Sequence, residues 1–433
     1  MRVAKEDSGQ VLIMLAVVLL ILILFMGLAI DGGMAYVTKA KLSKAVDAAC
    51  LTGMKNLQQG QAAATTLATH TFNANYGPNP PVPTITFPMD SYGDQQVSVT
   101  ATASVPTFFA QSLFRFWNVS DTATSTRGKL VMALILDRSG SMQTDGGGSA
   151  LQAAVPSFVN DFDNTLDEVA MVSFASDATV NFPIATSFQT PITNAVKSLS
   201  FTGGTFGAGG TYVATDGPPL SLADNQIASV PIQAGQNVTR VVVYFTDGLM
   251  NEIQDILSCN GAPARYNFGG MDTGNDVVFF NPTTGAAIYY YAPSGGTWYT
   301  CNNTDCSTKT LTTTSCLKNV AGFMSIQYGN IESFNRTNVA TEAEYRAIQT
   351  ANAMRAETPG TYIYAIGLGS GVTAATQSFL RQVANDPASP TYDSTMPQGL
   401  FLYVPDCPSS TCTTELHTAF QTIASKILLR LTQ

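Results

Sequence analysis

Asp137, Ser139 and Ser141 stand at i, i+2 and i+4, with Gly140 between the two serines. They follow directly on Leu130-Val-Met-Ala-Leu-Ile-Leu136, a run of seven apolar residues of the kind that forms a strand buried on both faces. In a tight loop at such a strand's C-terminal end, this spacing can aim three oxygens at one point. Only hard oxygen donors are offered, without Cys or His, so the chemistry suits Mg²⁺, Mn²⁺ or Ca²⁺ rather than zinc. Asp, Ser and Gly are also ordinary turn residues. The run gains meaning only from partners elsewhere in the chain.

Two later segments supply them. Arg240-Val-Val-Val-Tyr-Phe-Thr246-Asp247-Gly248 is a second buried-type strand ending in an acidic turn. Before it, Gly209-Gly-Thr211 precedes a helix expected over roughly 219–230. Gly203-Gly-Thr205 offers a rival threonine, but leaves a longer loop before the Arg240 strand. Taken together, Asp-x-Ser-x-Ser, Gly-Gly-Thr and strand-Thr-Asp-Gly resemble the metal-ion-dependent adhesion site of a von Willebrand factor A (vWA) domain. Asp137, Ser139, Ser141, Thr211 and Asp247 fill its five positions in order. The resemblance implies that Ser139, Ser141 and Thr211 bind the ion directly, with Asp137 and Asp247 acting nearby, partly through water. Hydroxyls neutralise little charge. The ion is then left seeking an anionic oxygen, such as the Asp or Glu carboxylate of a protein ligand.

The surrounding pattern alternates strands and helices from 129 to 433. Strands are expected at Lys129–Leu136, Val169–Phe174, Ala178–Phe182, Arg240–Thr246, Tyr362–Gly367 and Leu400–Val404. Helices are expected near Leu151–Phe162, Ile192–Leu199, Asn338–Glu357, Ala374–Val383 and Leu416–Leu431. This is an α/β pattern, a doubly wound, mostly parallel sheet with helices on both faces. Ligands of such sheets gather at the carboxyl ends of the strands, where the Asp137 and Asp247 turns both fall. Residues 249–337 interrupt the pattern. A structureless loop of that length is improbable in a compact domain, so a Cys-containing insertion with its own strands is expected, near Asp276–Phe280 and Ala287–Tyr291. Tyr289, Tyr290, Tyr291, Trp298 and Tyr299 either pack within it or face a partner.

Six of the seven cysteines lie in the second half: Cys259, Cys301, Cys306, Cys316, Cys407 and Cys412. Their spacing does not suit zinc. Disulfides are expected, with local pairs Cys301–Cys306 and Cys407–Cys412, and hence an oxidising compartment.

The N-terminal region divides in three. A polar segment, 1–10, is expected in the cytoplasm. Val11–Ile30 is twenty residues without charge, long enough at the helical rise to span a bilayer core of ~30 Å. It is expected to be an uncleaved anchor with the bulk of the chain outside the cytoplasm, a cleaved signal peptide being the rival. Residues 31–128 continue the helix, with Tyr36, Ala40, Val46 and Leu51 as its apolar face, and add a small β module at Thr84–Phe87, Gln96–Val105 and Asn118–Thr126. Gly9-Gln10, the run ending Gly27-Leu-Ala-Ile-Asp31, and Val46-Asp-Ala-Ala-x-Leu-x-Gly53 resemble the N-terminal region of TadG-like proteins of the tight-adherence (Flp) pilus family. Helix followed by sheet is also a pilin-like layout, an analogy of fold only. Phe108, Phe109, Phe114, Phe116 and Trp117 are expected to fill a core, or else to face membrane or partner.

Composition excludes several classes. A net charge of −9 argues against nucleic acid. Charged residues are 12%, against ~25% in typical domains. His70 and His417 are isolated, and no phosphate-cradling loop or nucleophile elbow occurs. The pairs Asp161/Asp163 and Asp167/Glu168 read as solvated turn charges. No enzyme is expected, a metal-dependent hydrolase being the remote alternative. The expectation is a membrane-anchored, metal-dependent binding component of a Tad/Flp pilus system, its partner a protein ligand or pilus subunit offering an Asp or Glu carboxylate. A structural pilin or assembly component is the second reading.

Overall fold

The computed structural model describes residues 8–431 except 58–59, 112–114, 145, 176–177, 202–218, 249–251, 260, 271–274, 282–285, 304–305, 315, 319–334, 406 and 408–410. The chain forms two compact units, 1–128 and 129–431.

In the first unit one unbroken helix, α1 (Ser8–Lys55), begins with the apolar run and continues into polar sequence. It is followed by α2 (Gln61–Tyr76) and three strands, β1 (Thr84–Thr86), β2 (Gln96–Pro106) and β3 (Phe116–Thr126), in an antiparallel sheet of order β1-β2-β3. Val97, Val99, Ala101 and Ala103 alternate inward from β2 and meet Ala64, Ala68 and Phe72 of α2. The face of α1 that packs here is Leu42, Ala45, Val46, Ala49 and Cys50. This corrects the expected face: only Val46 of that set is buried, while Tyr36 and Leu51 are exposed. The packed face mixes alanines, which add little to an apolar pattern, with Leu42 and Val46. A Cβ on Gly53 would already stand 3.0 Å from Val97. Cys50 is buried, donates to the Val97 carbonyl at 3.1 Å, and has its thiol pKa raised by burial.

The aromatic cluster also departs from expectation. Phe108, Phe109, Phe116 and Trp117 are exposed at the β2–β3 tip rather than in a core, because the core that α1, α2 and β2 share ends at Ala103, short of the tip. Phe114 lies outside the described residues.

The second unit opens with β4 (Lys129–Asp137), the one-turn helix α3 (Ser141–Thr144), α4 (Gly147–Val159), β5 (Glu168–Phe174), β6 (Ala178–Ala185), α5 (Gln189–Lys197), α6 (Pro219–Ala228) and β7 (Val238–Thr246). Seven strands of an inserted sheet follow: β8 (Glu252–Cys259), β9 (Ala262–Gly270), β10 (Val277–Phe280), β11 (Ala287–Ala292), β12 (Thr297–Cys301), β13 (Lys309–Leu311) and β14 (Cys316–Lys318). The chain then closes with α7 (Arg336–Ala356), β15 (Thr361–Leu368), α8 (Ala374–Ala384), β16 (Leu400–Val404) and α9 (Cys412–Leu431).

The principal sheet has the order β16-β15-β7-β4-β5-β6. Every neighbouring pair is parallel except β5 with β6. Both faces are covered, so the strands read as continuous apolar runs. Val131, Ala133 and Ile135 of β4 face one core, with α6, α7 and α8. Leu130, Met132, Leu134 and Leu136 face the other, with α4, α5 and α9. This is the doubly wound arrangement. Asp167 is fully buried, contrary to its reading as a solvated charge. Its carboxylate accepts from the N–H groups of Leu130 at 3.2 Å and Asp163 at 2.8 Å, tying the entry of β4 to the turn before β5.

The inserted sheet is antiparallel, of order β13-β12-β11-β10-β9-β8-β14. Val277, Phe279, Tyr291 and Trp298 belong to the same core as α7 and the parallel strands. Tyr290 is buried on the other face, with Tyr299 packed beside it. The cluster therefore packs on both faces of the inserted sheet, Tyr291 and Trp298 in the core shared with α7 and Tyr290 with Tyr299 on the other side. Arg346 of α7 bridges Asp255 of β8 and Glu342, each at 2.8 Å. The disulfides are Cys259–Cys316, Cys301–Cys306 and Cys407–Cys412, the last two being the expected local pairs.

Glu344 on α7 provides a pH test of the packing. Burial raises its carboxyl to about 7 in the folded chain, well above the model-peptide range. The folded state then binds more protons than the unfolded state between roughly pH 4.5 and 7, so stability is lost as pH rises through that window. Glu344→Gln is expected to match the parent near pH 4.5. It should exceed the parent at pH 8 by about 1 kcal/mol, the value being reduced by the group's partial exposure. Thermal unfolding at the two pH values measures it.

Candidate functional site

β4 and β7 are hydrogen-bonded neighbours in parallel register, with Leu136 opposite Phe245. Each runs apolar to its last residues and then turns polar, which brings the Asp137 and Asp247 turns side by side at the carboxyl edge. After Asp137 the chain folds back through two tight hydrogen bonds, Met142 N–H to the Ser139 carbonyl at 3.2 Å and Gln143 N–H to the Gly140 carbonyl at 3.1 Å. This turn is what collects the hydroxyls. Ser139 Oγ lies 3.0 Å from Ser141 Oγ and 3.4 Å from Asp247 Oδ1, across 108 residues of sequence.

Asp137 anchors the arrangement from below. It is 1% exposed, and Asp247 is 6% exposed. The Asp137 carboxylate accepts from Ser139 N–H at 2.8 Å and from the Thr246 hydroxyl at 2.7 Å. Thr246 also closes the second turn, its Oγ1 accepting from Gly248 N–H at 3.2 Å. Thr246 thus positions both acidic loops, a role that sequence reasoning did not assign. The signal was present as the Thr of Thr-Asp-Gly. Burial raises the Asp137 pKa, against the opposing pull of hydrogen bonds from Ser139, Thr246 and the Asp247 backbone. Tyr244 has its phenol far above its ordinary range through burial and the neighbouring Asp137 charge.

A third loop closes the edge. The turn after β15 presses Gly371 onto Asp247, where an added Cβ would lie 2.4 Å from the Asp247 carbonyl oxygen. A side chain at 371 would displace the Asp247 turn.

Of the five sequence-derived site residues, Asp137, Ser139, Ser141 and Asp247 are brought together. Thr211, like its rival Thr205, lies outside the described residues. Among the described residues no group of three or more His, Cys, Asp or Glu is suited to a metal. The convergent set is instead two carboxylates and two hydroxyls, a donor set that fits a hard divalent cation. Two acids drawn into the interior repel each other, and a cation between them would offset that repulsion.

Residues 132–249 match the family described as von Willebrand factor type A domain, and the fold is of that type. Residues 9–64 match the family described as Flp pilus-assembly TadE/G-like, so the chain joins a TadE/G-like region to a vWA domain. No curated protein sequence matches it. Similar solved structures include the vWF domain of the type V pili tip protein Mfa5 from Porphyromonas gingivalis, at 15% identity and TM-score 0.40, covering 71% of this chain and 97% of that one. The PilB minor pilin from Streptococcus sanguinis is similar at 12% identity and TM-score 0.38, covering 81% and 79%. Proximal thread matrix protein 1 from the mussel byssus, with a zinc-occupied MIDAS motif, is similar at 14% identity and TM-score 0.35, covering 70% and 46%.

Proposed function

We propose that this protein is a membrane-anchored component of a Tad/Flp-type pilus system that binds a partner carboxylate through a divalent cation. Asp137, Ser139, Ser141 and Asp247 hold the ion, with Thr211 as the remaining hydroxyl. The observation that carries the reading is Ser139 Oγ standing within reach of both Ser141 Oγ and Asp247 Oδ1. Mg²⁺ is the ion of choice, with Mn²⁺ or Ca²⁺ as substitutes, because every donor is a hard oxygen. The helix from Val11 is long and apolar enough to cross a membrane, which supports a single-pass anchor. Three disulfides support placement of the vWA domain on the extracytoplasmic side, in the periplasm or at the cell surface.

Asp247→Asn keeps the shape of the turn and removes a full charge. Cells carrying it are expected to assemble pili normally and to lose cation-dependent surface attachment, as the parent does in EDTA. Loss of the pili themselves would replace this reading with the second one, in which the vWA domain docks to the pilus machinery. Attachment that persists in the variant and in EDTA would end the metal-dependent reading.

A further inference from the structure

The β2–β3 hairpin lies along α1 and points back toward the apolar run. Three contacts fix the alignment. Cys50 reaches Val97 and Ala123 near the base of the hairpin. Lys39 meets the Ser120 carbonyl at 2.6 Å and Asp121 Oδ1 at 2.7 Å, closer to the tip. Asp31 meets the tip itself, accepting from the N–H groups of Phe108 at 2.9 Å, Phe109 at 3.1 Å and Ala110 at 2.9 Å. Each step toward the N-terminus of α1 is matched by a step toward the turn.

The tip therefore stands at the level where the apolar run ends. Gly27 lies inside that run, and a Cβ there would be 2.5 Å from Phe109 Cβ. At the helical rise, Gly27 is about 5 Å short of the boundary at Ile30. At this level Phe108 is 62%, Phe109 52% and Trp117 39% exposed. Their surface continues the exposed apolar surface of Val11–Ile30. Tryptophan at the edge of a membrane span favours the layer between headgroups and acyl chains, and phenylalanine is carried on the lipid-facing side of interfacial segments. The backbone at the tip is also suited to that layer, since three successive N–H groups already have their acceptor in Asp31.

We propose that the β2–β3 tip is a second membrane contact, with Phe108, Phe109, Phe116 and Trp117 seated in the headgroup–acyl boundary of the bilayer that α1 crosses. The proposal rests on the reading of α1 as a membrane span. A helix alone leaves the first unit free to tilt and to rotate about the helix axis in the bilayer. An aromatic wedge beside the helix fixes its tilt and the direction in which the hairpin faces.

The test uses the full chain in phosphatidylcholine vesicles, with Trp117 fluorescence taken as wild type minus Trp117→Phe. Lipid brominated near the headgroup end of its chains is expected to quench Trp117 roughly two-fold more than lipid brominated near the chain ends, as for interfacial side chains. Aqueous iodide is expected to quench it little. Phe108→Asp, at an exposed position, is expected to restore iodide quenching, and unchanged quenching in that variant counts against insertion. Phe25→Trp in the Trp117→Phe background reports the span independently. Deep quenching there, with Trp117 open to iodide and untouched by bromine, overturns the proposal while leaving the anchor intact. If Phe25→Trp is also untouched and alkaline washing strips the chain from the vesicles, the anchor falls and the proposal with it.

Discussion

Asp137→Asn is expected to lower the affinity for Mg²⁺ or Mn²⁺ by about 100-fold or more while leaving the fold intact. Loss of a group that only orients metal ligands typically costs 10–100-fold, and in the proposed site Asp137 would do this and supply charge as well. Its carboxylate accepts from Ser139 N–H and from the Thr246 hydroxyl, so it sets the turn that carries Ser139 and the strand end that carries Asp247. The amide keeps the size and one acceptor oxygen, but withdraws the negative charge that would hold a cation near two weakly donating hydroxyls. Ser139→Ala removes the oxygen common to both short contacts and is expected to act in the same direction. Titration calorimetry of the full chain with Mn²⁺ measures the loss, and far-ultraviolet circular dichroism checks the fold. Affinity unchanged in Asp137→Asn would sever the carboxylate from the ion.

Much of this site was legible because its logic is local. A strand that is apolar to its last residue and then reads Asp-x-Ser-x-Ser places its oxygens on a loop by the chemistry of the turn. The parallel sheet followed from continuous apolar runs alternating with helices, and adjacency of β4 and β7 then joined the two acidic turns. Thr246 was not assigned a role because a threonine at a strand end is unremarkable until its hydroxyl is seen to meet Asp137. The face of α1 was misread for a different reason. Tyr36 and Leu51 dominate a hydrophobic pattern, but Leu42, Ala45, Val46 and Ala49 do the packing, on a face whose alanines add little to that pattern. The aromatic tip reads as core on composition, since no local signal tells how far along a hairpin the core extends. Asp167 likewise reads as a turn charge until its two backbone donors are seen.

Removing the Cys259–Cys316 disulfide is expected to destabilise the second unit by about 4 kcal/mol, the loop-closure value for its sequence separation of 57. The Cys301–Cys306 and Cys407–Cys412 bonds span only 5 residues each, for which the same relation gives about 2 kcal/mol. Placement reinforces the difference. Cys259 and Cys316 are directly opposed across β8 and β14, and β14 has β8 as its only strand neighbour among the described residues. Both belong to the core shared by the inserted sheet, α7 and the parallel strands. Their replacement therefore loosens the edge of a core that also supports β7 and the Asp247 turn. Cys259→Ala/Cys316→Ala is expected to lower the thermal midpoint by roughly 10 °C, whereas Cys301→Ala/Cys306→Ala should lower it by about half as much. Cation affinity should fall in the first variant and persist in the second, because Cys301 and Cys306 pack on the opposite face of the inserted sheet. Equal midpoints for the two variants would mean that the insertion is an independent appendage, with no part in holding the site.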